Sequence, residues 1–250
     1  MAGHNKWSQI KRKKRALDQK RGKIISKHIR AIQSAVRSGG GGDGSANLPL
    51  KNALAAAKSD NVPIDNIDRA IERAMGGAEG GAFEEVLYEG YGPSGVAMLV
   101  EALTDNKNRT AADVRHIFDR AGGKLGTDGS VSWIFERKGV IFVEAGGLTE
   151  DELMMAAIDA GAEDVGPEGD SFQILTDPSQ FMAVRQALEE AGIKYTSAEL
   201  TMIPKSTVVL DESDARKTFR LLDALEDHDD IQEVFANFDI PDEIMQVLAG

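Results

Sequence analysis

Cysteine does not occur in this chain of 250 residues. That excludes a disulfide framework, a thiolate nucleophile and a sulfur-ligated zinc site, and it suits a reducing compartment. Also missing is any apolar run near the roughly 18–20 residues of a membrane span, or the apolar h-region that follows the basic residues of a secretory signal. The expectation is a soluble, cytoplasmic protein with no membrane partner. Histidine is scarce: His4, His28, His116 and His228 stand far apart, none with a second histidine or a carboxylate at zincin spacing. No G-x-x-x-x-G-K-[ST] loop occurs, and "GPSGV" around Ser94 lacks the glycine spacing of a nucleophile elbow and reads as a hairpin turn. Nothing separates a general acid–base pair from ordinary surface carboxylates. No enzyme, cofactor, metal site or small-molecule substrate is therefore expected.

What is present is a strong division of charge. The net charge is -12, yet residues 1–37 hold twelve Lys or Arg against one acid, Asp18, for +11. The remainder carries seventeen bases against forty acids, for -23. Such asymmetry points to a polyanionic partner at the basic end. Nine of the bases fall between Gly3 and Lys23, where Trp7 and His4 offer planar faces that stack on unpaired bases. Few large apolar residues precede Ile24, so a membrane-surface role fits less well than nucleic acid.

From Gln19 the pattern is helical, with Ile25, Ile29, Ile32 and Val36 on one stripe and Lys20, Lys23, Lys27, Arg30 and Arg37 on the other. The helix should stop near Ser38. The glycine run at 39–44 formally matches G-x-G-x-x-G, but it follows a helix where a dinucleotide site needs a strand, so it reads as a flexible linker. A second helix opens with Asn47 as N-cap and Pro49 in its first turn, with Leu50, Leu54 and Ala57 inward. A third opens at Pro63 and carries Ile64, Ile67, Ile71 and Met75. Short connections make these antiparallel neighbours in a small bundle.

Beyond "GGAEGGAF" the period changes to that of strands, and "GSVSWIFE" alternates as a strand of its own. Strand–helix units recur four times. Thr110 with Asp113, Thr149 with Glu152, and Asp177 with Pro178 supply helix starts, and Gly122, Gly161 and Gly192 stand at C-cap positions. Residues 139–204 make one complete βαββαβ set, whereas 83–136 and 207–240 each hold half of another. The fold class expected is α+β: an N-terminal helical bundle followed by two ferredoxin-like α/β domains, the second inserted into the first. The domains are 1–78; 79–136 plus 206–250; and 137–205. Two tandem domains split near Gly139 are the alternative.

Two further stretches draw notice. "TDNKNRT" offers Asn106, Lys107, Asn108 and Arg109 as donors to phosphate or base edges, beside "GGKLGTDGSVSW" at 122–133; the plain reading is a polar helix-capping loop. "EDHDD", Glu226 to Asp230, is read as a solvated acidic turn, because its adjacent carboxylates lack the spacing of a calcium loop.

The opening "MAGHNKW" with its Lys/Arg-rich continuation and "RGK", then "YEGYGPSGVA", "DNKNRTAADVRHIF", "GGKLGTDGSVSW" and "GAEDV", together resemble the YebC/PmpR family, whose mitochondrial relatives are translational activators. The resemblance covers nearly the whole chain. It implies three domains and a non-enzymatic, cytoplasmic regulator, commonly described as a DNA-binding transcriptional regulator; other relatives are placed on the ribosome, relieving stalling at proline-rich stretches. The expected nucleic-acid-binding residues are His4, Lys6, Trp7, Lys11, Arg12, Lys13, Lys14, Arg15, Lys20, Arg21, Lys23, Lys27 and Arg30, with Asn106, Lys107, Asn108 and Arg109. The partner is DNA or ribosomal RNA, with the ribosome as an alternative target. The acidic remainder is expected to face away from phosphate or to meet a basic protein surface.

Overall fold

The computed structural model describes residues 21–76, 83–147, 149–169, 171–241 and 243–244. Helix α1 (Arg21–Ser38) presents Ile32, Ala35 and Val36 to a small core, with Ile25 and Ile29 half-buried at its margin. Helix α2 (Leu48–Ser59) starts where the sequence pattern places it: the Asn47 side chain accepts from the Leu50 N–H at 3.0 Å and Pro49 occupies the first turn. Leu50 and Ala57 are its fully inward residues, with Leu54 partly buried. The chain leaves α2 through Asn61 in the left-handed region (φ 55°), and the Val62 N–H returns to Ala57 O at 2.9 Å.

Helix α3 (Ile64–Met75) follows, but its inward face is Ile67, Ala70 and Ala74. Of the four apolar residues the pattern picks out on this helix, Ile67 is buried and Ile71 half-buried, whereas Ile64 and Met75 are largely exposed. They lie at the two ends of the helix, outside the Ile67–Ala74 stretch that packs on the core.

The glycine run is not a flexible linker. Gly39 N–H bonds Ala35 O and Gly41 N–H bonds Val36 O, both at 3.0 Å. Gly39 packs so tightly that a Cβ there would fall 2.0 Å from the Asn47 side chain. Asn47 is buried, its amide donating to Ala35 O and Gly41 O while its carbonyl caps α2. One side chain thus closes the α1–α2 turn and starts the next helix.

Strands β1 (Glu84–Tyr91) and β2 (Ala97–Thr104) form an antiparallel pair across a 3-10 turn at Pro93–Gly95. Ser94 there adopts φ 59° and its hydroxyl bonds Asp214. Helix α4 (Lys107–Arg120) and the short β3 (Lys124–Leu125) follow. The N-cap of α4 is Asn106; Thr110, expected as the cap, lies one turn inside and is buried. After the segment 133–207 the same unit resumes with β8 (Val208–Val209), α7 (Glu212–Glu226), β9 (Ile231–Ala236) and β10 (Phe238–Asp239). Its sheet has the order β3-β1-β2-β9, and β8 pairs with β10 in parallel. Strand β8 is only two residues long, and the chain breaks between β9 and β10 at Asn237, whose side chain accepts from the Ala97 N–H at 2.7 Å. Central β2 is almost wholly buried, and Met98, Val100, Val114, Phe118, Phe219 and Leu222 belong to one core.

Residues 133–207 form a second compact unit. Ser132–Ile134 is a 3-10 turn, so the "GSVSWIFE" strand is corrected to one beginning at Phe135 and running on as β4 (Phe135–Glu144). Then come α5 (Glu150–Ile158), β5 (Ala162–Glu168), β6 (Ser171–Thr176), α6 (Phe181–Glu190) and β7 (Tyr195–Pro204). Thr149 and Glu152 form the expected capping box of α5. At α6 the N-cap is Gln180, and Asp177 instead accepts from Ser179 one step earlier. The sheet is antiparallel throughout, in the order β5-β6-β4-β7. Ile141, Val143, Leu153, Ile174, Val184 and Leu188 fill its core. The protein is a mixed α/β fold with seven α-helices, two four-stranded antiparallel sheets and the parallel β8–β10 pair among the described residues.

Candidate nucleic-acid interface

His4, Lys6, Trp7, Lys11, Arg12, Lys13, Lys14, Arg15 and Lys20 lie outside the described residues, and Arg21 enters only as the first residue of α1. Lys23, Lys27 and Arg30, spaced four and three apart, share one face of α1. The structure brings that face onto the end of α7. Lys23 Nζ donates to Asp227 O at 3.0 Å and stands 3.7 Å from the Asp227 carboxylate. Lys27 Nζ donates to Glu226 O at 2.8 Å. The last carbonyls of a helix have no intrahelical partner and carry the negative end of the helix dipole, so two ammonium groups complete this terminus chemically and electrostatically.

Arg30 reaches one step further, donating to Asp230 Oδ1 at 2.7 Å with Asp229 at 3.9 Å. Asp230 is the hub of the cluster and is almost fully buried. Its second oxygen accepts from Thr110 Oγ1 at 2.7 Å and from Arg109 Nη2 at 3.1 Å, with Thr104 Oγ1 at 3.3 Å. Its own N–H donates to His228 Nδ1 at 3.1 Å. Burial pushes the Asp230 carboxyl upward, but the Thr110 hydrogen bond and the Arg109 and Arg30 guanidiniums outweigh it and hold the group below the usual aspartate range. The reading of Glu226–Asp230 as a solvated acidic turn is corrected: it is the seat on which α1 and α4 converge. Among the described residues no grouping of carboxylates and imidazoles is set to hold a metal ion.

The second candidate loop is also engaged. Asn106 Oδ1 accepts from the Arg109 N–H at 3.1 Å, Lys107 pairs with Glu84, and Arg109 spans Asp105 at 2.7 Å and Asp230. Asn108 is exposed. Arg30 and Arg109, from two stretches singled out separately in the sequence, thus meet on one carboxylate.

Sequence reasoning did not find Glu89. This buried glutamate of β1 accepts from the backbone N–H groups of Gly129, Val131 and Ser132 at 2.7, 2.6 and 2.8 Å, and so shapes the loop 126–132. Burial raises its carboxyl; the Val131, Gly129 and Ser132 donors overcome that and leave it lowered. A row of amides in such a loop would suit an anion, and here the chain's own carboxylate occupies them. No pattern in the sequence marked it, because Glu89 shares its strand face with the exposed Glu85, Leu87 and Tyr91.

Two family models match the chain: the TACO1/YebC N-terminal domain over residues 5–77 and the TACO1/YebC second and third domain over residues 83–238. A curated protein of Rubrobacter xylanophilus, named a probable transcriptional regulatory protein, is 59% identical over all of both chains. One of Syntrophus aciditrophicus with the same name is 54% identical, again over the full length of both. A crystal structure of a conserved hypothetical protein from Aquifex aeolicus superposes with a TM-score of 0.76 at 48% identity, covering 90% of this chain and 92% of that one. With models spanning both halves and full-length relatives above half identity, each named a probable transcriptional regulatory protein, the chain belongs to the TACO1/YebC family.

Proposed function

We propose that this protein is a non-enzymatic, cytoplasmic nucleic-acid-binding regulator of gene expression, in its most specific form a DNA-binding transcriptional regulator, gripping phosphate through residues 4–21. The observation that carries the reading is the charge partition: +11 within residues 1–37 against -23 in the rest. Within that basic end, Lys23, Lys27 and Arg30 already engage the Glu226–Asp230 turn. The gripping role therefore concentrates on Lys6, Lys11 to Arg15, Lys20 and Arg21, with Trp7 and His4 stacking. The acidic remainder turns from phosphate. We read the organisation as a helical part (1–78), a discontinuous α/β domain (79–136 plus 206–250) and an inserted ferredoxin-like domain (137–205). The β5-β6-β4-β7 order supports the last assignment.

A second reading, ribosomal RNA as the target in a translation factor that relieves stalling, is favoured by one observation. The basic face of α1 carries no amide side chain beside its cations other than Gln33, and those cations face an acidic turn, so among the described residues this basic helix does not support duplex specificity. Irregular RNA rewards phosphate contact plus stacking.

The test replaces Lys11, Arg12, Lys13, Lys14 and Arg15 together by alanine. It measures affinity for a promoter duplex and a ribosomal RNA fragment across salt, alongside crosslinking from the arm in cells. Five lost phosphate contacts lower the log–log salt slope on duplex DNA by about 4–5. Unchanged affinity at low salt refutes the proposal, and the recovered nucleic acid decides between the two targets.

A further inference from the structure

Lys23, Lys27 and Arg30 continue the basic segment that begins in the arm, yet each is held by oxygen atoms of the chain itself. Lys23 and Lys27 donate to Asp227 O and Glu226 O, the Asp227 carboxylate stands 3.7 Å from Lys23, and Arg30 meets the carboxylates of Asp229 and Asp230. A short run of carbonyl and carboxylate oxygens thus receives cations spaced four and three apart on one helix face, as successive phosphates of a nucleic acid would. The turn stands where a polyanion could.

Two features of this seat favour its exchange for another anion. The apolar core of α1–α3, with Ile32, Leu50 and Ile67, shares no residue among those described with the core beneath α7, so polar bonds hold α1 there. Lys23 and its Asp227 partner are each about half exposed, where ion pairs are weak and screened by salt. Asp230, moreover, is not left bare when Arg30 departs. Its other oxygen keeps Thr110 at 2.7 Å and Arg109 at 3.1 Å, with Thr104 at 3.3 Å, so release of α1 strands no buried, uncompensated charge.

We infer that the Glu226–Asp230 turn is an internal competitor for the α1 cations, which a nucleic acid gripped by the arm displaces, lifting α1 from α7 and gaining Lys23, Lys27 and Arg30 as phosphate contacts. The inference rests on the nucleic-acid reading proposed above and supplies its regulation. A ligand must present several phosphates at once to replace the turn, so an isolated phosphate is refused. Exchanging one anion for another also releases few counterions, which makes the salt dependence of the parent shallower than its count of basic residues implies.

The probe is a fluorescein-labelled DNA duplex titrated across salt against three full-length proteins. These are the parent, a turn variant with Asp227→Asn, Asp229→Asn and Asp230→Asn, and a control with Asp65→Asn, Asp68→Asn and Glu72→Gln. The control removes the same charge from exposed positions of α3, in the same helical bundle as α1. In the turn variant the log–log salt slope is expected to steepen by about 2–3 and the affinity at low salt to rise by about 10-fold, whereas the control keeps the slope of the parent. Because Asp230→Asn loosens the hub, a second measurement leaves the turn intact. The chain has no cysteine, so Ser38→Cys with Ala224→Cys, both at exposed positions outside the seat, carry the only two spin labels. Saturating duplex is expected to shift the distance between them to longer values. Equal slopes in parent and turn variant, equal gains in turn variant and control, or a label distance that duplex leaves unchanged each overturn the inference while the phosphate-gripping reading stands. Loss of duplex binding in parent and turn variant alike defeats that reading, and this inference with it.

Discussion

Replacing Asp230 by asparagine keeps the shape of the buried hub and removes its charge. Every side chain facing that carboxylate is a donor: Arg30 on one oxygen, Arg109, Thr110 and Thr104 on the other. Whichever way the new amide turns, its NH2 meets a donor. A charge-assisted hydrogen bond contributes about 1.5–3 kcal/mol, and removing one partner of a buried pair costs about 3–5 kcal/mol. Both guanidiniums keep some solvent, Arg109 being half exposed, which reduces the loss. Asp230→Asn is therefore expected to destabilise the seat by about 2–4 kcal/mol, roughly 30- to 1,000-fold in the local opening equilibrium.

Because α1 holds on this seat, the effect should concentrate there. Hydrogen exchange at the Ile32 and Ala35 amides is the direct assay, with the 133–207 unit as internal control. The pH dependence follows from the lowered Asp230 carboxyl. A depressed folded value stabilises above the unfolded aspartate value near 3.9 and loses that stabilisation as pH falls through the folded value. The gap between parent and variant is thus full above about pH 5 and closes in stronger acid. Exchange in α1 unchanged within twofold at neutral pH refutes the hub.

Gly39→Ala drives a Cβ into the Asn47 side chain and so breaks the two hydrogen bonds its amide donates and one cap together; a loss of about 2–4 kcal/mol is expected in denaturant titration of the helical part. Glu89→Gln loses an anionic acceptor for three backbone donors, so about 1.5–3 kcal/mol is expected, with faster exchange at the Gly129 and Val131 amides. This contribution also requires the ionised form: it is present above the unfolded glutamate value near 4.3 and lost as pH falls through the lowered folded one.

The helical bundle was legible because its signals are local. Apolar residues three and four apart, Asn47 before Pro49, and glycines after the last periodic residue each specify a structure within one turn of chain. Strand ends were less legible: the alternation of "GSVSWIFE" resembles a strand, yet the chain turns at Ser132–Ile134 before pairing begins. The acidic turn was illegible for a different reason. In sequence Asp230 is one carboxylate among five consecutive polar residues, and its partners Arg30 and Arg109 lie 200 and 121 positions away. Type and neighbourhood could not separate a buried hub from a solvated turn; the pairing of β9 with β2 brings Arg109 to it, and the contact of α1 with the end of α7 brings Arg30. The same holds for the face of α1, where periodicity places Lys23, Lys27 and Arg30 together but not what they meet.

The strand order of the first sheet has a consequence in time. Central β2 pairs with β1 at once across the Pro93–Gly95 turn, but its other neighbour, β9, arrives only after the whole 133–207 segment and α7. At a synthesis rate of about 5–20 residues per second, the roughly 130 intervening residues leave one edge of this apolar strand open for about 6–25 s. During that interval the nascent chain exposes the open edge of its most buried strand, while every strand of the β4–β7 sheet has already been made. This strand order thus carries a built-in vulnerability at the ribosome exit, and slow codons between Thr104 and Ile231 are where it would be felt most.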